Sequence, residues 1–230
     1  MSNERSILAP MPISVPHPRD TASKLDHILR HSARIFAEKG FAGASVRDIS
    51  RATGISLSGL YYYFDSKQKL LYLIQTNTFT FVLTRLQSRL PGALNPLARL
   101  HMLISNHIEY FLSHPNEMKV LSHEEDALNE PLHAEVASIK RKYYGLARKL
   151  FDDVAAAGIA PGLNPRVAIL SLFGMMNWVY KWHNPKVDPG SAELTDDIVR
   201  IFLYGVLPSG VAAKEVSRDA LSQGAPATVP

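Results

Sequence analysis

Two short helical segments on either side of Gly54 constrain the fold more than any other feature of the sequence. Ser45 and Asp48 stand three residues apart at the start of the first segment, which is the spacing of an N-terminal capping box. Ser56 opens the second segment. Because glycine readily adopts the left-handed conformation of a helix end, Gly54 lets the two helices cross steeply after a tight turn. The apolar positions that can lock the pair are Val46, Ile49, Ala52, Ile55, Leu60 and Phe64.

The outer face of the second helix carries small, hydroxyl-bearing and aromatic residues. Its members are Ser56, Leu57, Ser58, Gly59, Tyr61 and Tyr62. Serine and tyrosine hydroxyls are natural donors to phosphate oxygens, and the second helix of a helix-turn-helix pair can enter the major groove of DNA. Gly59 is a poor helix former. We interpret its small size as allowing a partner to approach the backbone closely. Tyr63, three residues after Leu60, is expected to pack inside the protein instead.

Positive charge is concentrated in the same third of the chain. Residues 1–77 contain ten Lys and Arg against six Asp and Glu, whereas the remaining residues contain fifteen of each. A module that binds a polyanion needs its positive charge in one place. The pattern favours nucleic acid as a partner, although an excess of this size is also ordinary for a domain.

Helical patterning extends through nearly all of the chain, and strand-like alternation is absent. The sequence predicts an all-α protein of about nine helices, with a three-helix DNA-binding unit before a larger helical domain. The helices are expected at about 23–40, 45–54, 56–63, 66–90, 94–113, 117–127, 131–157, 165–182 and 192–206. We assign residues 1–20 to a flexible proline-rich arm, 21–70 to the helix-turn-helix domain, 71–207 to the larger domain and 208–230 to a flexible tail.

Composition excludes several other classes of protein. The chain has no cysteine, so disulfides, thiolate metal sites and a cysteine nucleophile are excluded. No stretch approaches the roughly 20 apolar residues that cross a bilayer, and the larger domain carries no catalytic motif or glycine-rich phosphate loop. His101 and His107 lie on opposite sides of one predicted helix, so they cannot share a metal ion. We expect a cytoplasmic protein without membrane contact, cofactor, metal or enzymatic activity.

The helix-turn-helix segment resembles the DNA-binding module of the TetR/AcrR family of repressors. The matching stretches are residues 33–41, 45–49, 54–56 and 60–64, and residues 66–67 with Leu70. As a pattern the resemblance covers about residues 24–75, and as architecture it covers nearly the whole chain. It implies a homodimeric repressor that binds a palindromic double-stranded DNA operator and is released by a small-molecule effector.

The resemblance also implies roles for individual residues. Ser45 and Ser56 are expected to contact phosphates near the helix starts, and Lys67 to pin a phosphate. Tyr61 and Tyr62 are expected to clamp the DNA backbone.

One position departs from the common pattern of the family. Many members carry lysine after the serine that opens the recognition helix, whereas this chain has Leu57. Leucine can pack on a thymine methyl group but cannot hydrogen-bond a base. We therefore expect few direct base contacts from this helix, and Arg47 becomes the candidate for a guanine edge or a phosphate.

The larger domain is expected to hold the effector between its helices. The candidate contacts are His107, Phe111, His123, Tyr143, Phe173 and Trp178. Residues 174–182 resemble members of the family that govern lipid, sterol or aromatic-acid breakdown, several of which respond to acyl-CoA thioesters. The alternative is a multidrug-type sensor with a broad hydrophobic pocket.

Residues 168–182 are apolar on nearly every side, which one subunit cannot easily bury. We therefore expect the last two helices to form a dimer interface with a second copy. The candidate interface residues are Phe173, Met176, Tyr180, Ile198 and Phe202. Two alternatives stay open: these residues form an ordinary core, or the chain is a helical enzyme or bundle that contains a helix-turn-helix.

Overall fold

The computed structural model describes residues 18–92, 95–159 and 163–204. Every regular element in these ranges is helical, which confirms the predicted fold class. The helices are α1 (Pro18–Gly43), α2 (Val46–Thr53), α3 (Leu57–Tyr61), α4 (Lys67–Arg89), α5 (Pro96–Ser113), α6 (Pro115–His123), α7 (Leu132–Ala156), α8 (Pro165–Asn177), α9 (Val179–Trp182) and α10 (Ser191–Tyr204). Residues 1–17 of the predicted arm and the whole predicted tail lie outside the described residues, and α1 begins inside the predicted arm.

The ends of α1, α2 and α3 follow from local capping. Ser45 and Asp48 form the reciprocal capping box at the start of α2, as the sequence predicts. Gly54 ends α2 in the left-handed conformation with φ +70°. Gly40 interrupts α1 at φ +71°, and a short turn continues from there to Gly43. Ser56 caps α3 by accepting a hydrogen bond from the backbone of Gly59.

Two hydrophobic cores stabilise the fold, and α4 belongs to both. The first half of α4 contributes Leu70, Leu71 and Ile74 to the core of the helix-turn-helix. The second half contributes residues such as Val82 and Leu86 to the core of the larger domain. Since one continuous helix of 23 residues runs through both cores, the two parts of the protein share a structural element.

The helices of the larger domain differ from the prediction in two places. The segment predicted as one helix at 165–182 is broken at Trp178, so that α9 forms a separate turn after α8. α6 ends at His123, and residues 125–127 form a 3-10 turn instead of continuing the helix. No helix within the described ranges combines the length and apolarity required to cross a membrane.

Candidate DNA-binding face and ligand cavity

The outer face of α3 is exposed as the sequence predicts. Tyr61 and Tyr62 expose 53% and 73% of their surface, and Leu57 exposes 37%. Leu60 and Phe64, on the opposite side, are buried in the first core. Neither exposed tyrosine hydroxyl forms a hydrogen bond within the described part of the chain, so both are available to a partner.

The serines of this region are used in helix capping. The Ser45 hydroxyl donates to Oδ2 of Asp48 at 2.7 Å and accepts from the backbone N–H of Asp48 at 3.2 Å. The Ser56 hydroxyl accepts from Gly59 at 3.2 Å and lies 3.2 Å from the hydroxyl of Ser58. Ser45 therefore has no hydroxyl hydrogen left for a phosphate unless its bond to Asp48 breaks.

Charged side chains near the start of α2 fall into two groups. Lys39 and Arg51 both pair with the carboxylate of Asp48, and together with Ser45 they lower the pKa of that group, Lys39 having the largest effect. Arg47 is exposed and forms no ion pair within the described ranges. Its guanidinium is therefore available to a phosphate or a base.

The structure corrects the role expected for Lys67. Its ammonium donates to the backbone carbonyls of Phe41 at 2.7 Å, Ala42 at 3.3 Å and Ala44 at 2.9 Å. It also lies 4.5 Å from the centroid of the Phe41 ring. A lysine has three donors, and all three are used inside the protein. Lys67 thus fastens the end of α1 to the start of α4 and has no donor left for a phosphate.

The structure also gives a different reason for Gly59. A Cβ atom at this position would lie 2.9 Å from Cγ2 of Ile55 and 3.2 Å from the hydroxyl of Ser56. Both contacts are tighter than ordinary van der Waals separation. The packing of its own turn therefore favours glycine at this position, in addition to any approach of a partner.

A cavity of about 490 Å³ lies between α4, α5, α6, α7 and α8. This volume is within the usual range of small-molecule sites. Five of the six residues expected to bind the effector line it, namely His107, Phe111, Tyr143, Phe173 and Trp178. Its polar lining also includes Ser122, Lys140 and Asn177.

His123, the sixth residue, does not line this cavity. Its Nε2 lies 2.7 Å from the hydroxyl of Tyr180 on α9, and its side chain is on the outside of the protein. The structure therefore places His123 outside the cavity lining and gives no support to a direct contact with the ligand. The break at Trp178 places Tyr180 beside His123, and no local sequence signal predicts that break.

Burial divides the cavity into a floor and a mouth. The floor consists of buried side chains on α4 to α7, including His107, which is 3% exposed, and Tyr143, which is 4% exposed. The mouth includes Leu170 and Gly174 of α8 and Trp178 at its C-terminal end, which are exposed.

His107 is the most unusual group of the floor. Its Nδ1 lies 3.3 Å from the Tyr143 hydroxyl, and its ring centroid lies 4.6 Å from that of Phe111. Burial lowers the pKa of His107 to about 3, against a smaller opposing effect of the Asn177 side chain. The imidazole is therefore neutral at pH 7. Burial also raises the pKa of Tyr143, so its phenol keeps its proton.

The expected dimer interface is corrected in part. Met176 is 1% exposed and Ile198 is 5% exposed, so both belong to the core of their own subunit. Phe202 packs against Phe151, Phe173 lines the cavity, and Tyr180 bonds to His123.

Other residues of α8 and α10 form an exposed apolar surface. Val167, Leu170, Gly174 and Trp178 are exposed at helical spacing, and we call this set the α8 stripe. Ile201 and Tyr204 of α10 are also exposed, by 42% and 60%.

The second helix of the helix-turn-helix has an exposed outer face, and α4 joins this unit to a helical domain that contains a cavity. This combination defines the class of ligand-binding transcriptional regulators. The family described as bacterial regulatory proteins, tetR family, matches residues 28–72. A second family, described as tetracyclin repressor-like, C-terminal domain, matches residues 93–206. The chain belongs to the TetR family of DNA-binding transcriptional regulators, which are not enzymes.

Related proteins support this assignment across most of the chain. The transcriptional repressor KstR2 of Mycolicibacterium smegmatis is 24% identical over 84% of this chain and 95% of its own length. A TetR-family regulator of Bordetella parapertussis has a TM-score of 0.73 and 28% identity, covering 80% of this chain and 97% of its own. AibR, solved with isovaleryl coenzyme A and operator DNA, has a TM-score of 0.71 and 25% identity, covering 78% and 98%.

Proposed function

We propose that the protein is a dimeric repressor that binds a palindromic operator through α3 and releases it when an effector occupies the cavity below α8. The observation that carries this proposal is the exposed face of α3, where the hydroxyls of Tyr61 and Tyr62 have no partner within the described residues. Hydroxyl donors on an exposed recognition helix are suited to phosphate oxygens of the DNA backbone.

Within this proposal the contacts divide between backbone and bases. Tyr61 and Tyr62 position the protein on the sugar-phosphate backbone, and the exposed Ser58 adds a short hydroxyl to the same face. Leu57 packs on a thymine methyl, and Arg47 reaches a phosphate or the edge of a guanine. Lys67 holds the end of α1 to the start of α4 and does not contact DNA.

The α8 stripe, with Ile201 and Tyr204, is the proposed dimer interface. An exposed apolar face of this kind commonly marks an interaction site. Two-fold symmetry would place two copies of α3 in successive major grooves, about one DNA turn apart, and therefore selects a palindrome. The larger domain at residues 71–207 is thus proposed to bind both effector and partner.

The proposed effector is an acyl-CoA or a related lipid or aromatic-acid catabolite. AibR supports this reading, because its structure holds isovaleryl coenzyme A. The cavity is suited to an acyl group because most of its floor is apolar, and Lys140 is the cation in its lining within the described residues. The second candidate is a multidrug-type sensor, which is favoured by the aromatic lining of Phe79, Phe111, Tyr143, Phe173 and Trp178.

A gel-shift experiment tests the proposed function. The full-length protein is titrated onto duplex DNA from upstream of its own coding sequence, at two salt concentrations because phosphate contacts make affinity salt-dependent. The double variant Tyr61→Phe, Tyr62→Phe removes two exposed hydroxyls, and Tyr63→Phe is the matched control on the packed side. We expect the double variant to bind at least about tenfold more weakly and the control to bind like the wild type. Equal binding by the double variant, or no specific shift with any upstream duplex, would overturn the proposal.

A further inference from the structure

Within the described residues, the Nε2 atom of His107 is buried and forms no hydrogen bond of ordinary geometry, although the Asn177 side chain interacts with the imidazole. Five buried side-chain atoms in the described ranges share this property, and they belong to His31, Ser32, Gln75, Asn106 and His107. Of these, His107 is the one whose side chain lines the cavity. A buried polar group is normally paired, so an unpaired one at the floor of a cavity points to a ligand group that completes it.

The surroundings of His107 define the rest of the ligand. Phe111 lies 4.6 Å and Phe173 6.0 Å from the imidazole, measured between ring centroids. Val82, Met118 and Leu121 add apolar floor from α4 and α6. A ligand that reaches the floor therefore has an apolar body and one polar group.

The charged side chains near the floor determine whether that polar group can carry a charge. The lining includes Lys140 as a cation, and its ammonium lies 5.4 Å from the centroid of the half-buried Phe79 ring. No cationic side chain of the described residues belongs to the buried part of the lining. A carboxylate at the floor would lose its hydration without gaining a charge partner, which is strongly unfavourable.

We propose that the cavity is built for an apolar ligand that carries an uncharged oxygen, a keto or hydroxyl group, at its inner end, where it hydrogen-bonds Nε2 of His107. The inference deepens the proposed function and rests on it for the identity of the cavity as the effector site. For an acyl-CoA effector, it means that the acyl group is oxygenated at the end remote from the thioester.

The tautomer of His107 decides whether a keto oxygen can bind. When Tyr143 donates to Nδ1 across the 3.3 Å contact, Nε2 carries the hydrogen and donates to a keto oxygen. When Nδ1 donates to Tyr143 instead, Nε2 accepts from a hydroxyl. A hydroxyl group can satisfy either tautomer, because it both donates and accepts.

Binding of four probes with one bicyclic skeleton tests the proposal. The probes are tetralin, 1-tetralone, 1-tetralol and 1,2,3,4-tetrahydro-1-naphthoate, measured on the full-length protein by equilibrium dialysis. Because tetralin is the most hydrophobic probe, the informative quantity is the affinity for each oxygenated probe divided by the affinity for tetralin. We expect His107→Phe to lower this ratio about tenfold for the favoured oxygenated probe. His101→Phe, on the same helix and outside the cavity, should leave the ratio unchanged.

A second measurement does not depend on the folding of a variant. In histidine-ring ¹⁵N spectra of the wild type, the favoured oxygenated probe should shift the signal of a buried neutral imidazole, and tetralin should shift it much less. An unchanged affinity ratio in a folded His107→Phe protein, or tighter binding of the carboxylate than of both oxygenated probes, overturns the proposal. Since these assays contain no DNA, their failure is distinguishable from failure of the gel shift.

Discussion

The carboxylate of Glu124 accepts a hydrogen bond from the backbone N–H of Phe41 at 2.9 Å and so ties the end of α6 to the turn before α2. Lys67 holds the carbonyl of the same residue, so both polar groups of Phe41 are bound by elements outside that turn. Ser122, two residues before Glu124, lines the cavity. Residues 122–124 at the end of α6 therefore contribute both a side chain of the cavity lining and a hydrogen bond to the turn before α2.

The Glu124 contact predicts a specific loss of stability. Glu124→Ala leaves the Phe41 N–H without its acceptor and should lower the free energy of unfolding by about 1–2 kcal/mol. Glu124→Gln keeps an oxygen acceptor of the same length and should lose less than half as much. Urea denaturation measures both values, and equal losses in the two variants would show that the hydrogen bond is not the cause.

Lys67 provides a test of its structural role against the phosphate role implied by the resemblance. Lys67→Met keeps the length of the side chain but leaves three carbonyls without their donor, and should lower the free energy of unfolding by about 2–3 kcal/mol. Lys69→Met is the matched control. The Lys69 ammonium lies over the Tyr72 ring and donates to no backbone carbonyl within the described residues. Unchanged stability together with a salt dependence of operator binding reduced by about one phosphate contact would instead support a phosphate contact.

Gly59 predicts a steric cost for the smallest side chain. Gly59→Ala places Cβ against Cγ2 of Ile55, and the strain should exceed the gain in helix propensity, giving a net loss of about 1 kcal/mol. Adding Ile55→Leu moves the branch away from Cβ and should recover part of the loss. Gly145→Ala, in the middle of α7 with nothing within 4 Å, is the control and should stabilise the protein. A stabilising Gly59→Ala would show that the turn relaxes freely.

His107 predicts a pH dependence with a defined sign. Since burial lowers the pKa of His107 to about 3, the unfolded chain takes up a proton near pH 6.5 and the folded protein does not. Stability should therefore fall as the pH decreases from 6.5, by about 2–3 kcal/mol at pH 4.5. The measurement is the difference in the free energy of unfolding between the wild type and His107→Gln across this range. The contributions of His31 and Glu117, whose pKa values are also shifted, cancel in this difference. A constant difference would mean that His107 titrates normally.

The proposed interface predicts a loss of dimers. Val167 and Ile201 expose apolar side chains in the interface and do not line the cavity. Val167→Glu or Ile201→Glu should raise the dimer dissociation constant about a hundredfold or more, because a charge would be buried without a partner. Val187→Glu is the control, since Val187 is 78% exposed outside this surface. Sedimentation velocity that shows the same dimer for all three variants would exclude this interface.

Local sequence signals were sufficient for the helix-turn-helix. Ser45, Asp48 and Gly54 act through contacts within a few residues, so their spacing alone predicted where α2 begins and ends. The periodic apolar residues likewise predicted the exposure of Tyr61 and Tyr62, because the opposite side of α3 must be buried.

The remaining differences arise from contacts between distant parts of the chain. Lys67 binds carbonyls more than 20 residues away, and no periodicity reports such a partner. The apolar residues of α8 surround the helix, so the sequence did not define which side faces the core. Packing places Met176 inside and Trp178 outside, which removes Met176 from the expected interface and exposes a residue that was expected as a ligand contact.

Leu170, Gly174 and Trp178 belong both to the mouth of the cavity and to the α8 stripe. In a dimer joined through this stripe, the second subunit stands at the entrance, and an effector must enter before the subunits join or pass through the gap between them. The speed of the response to a new effector would then depend on how often the subunits separate. An effector trapped behind the joined subunits would leave slowly, so the regulator would retain its released state after the compound has disappeared from solution.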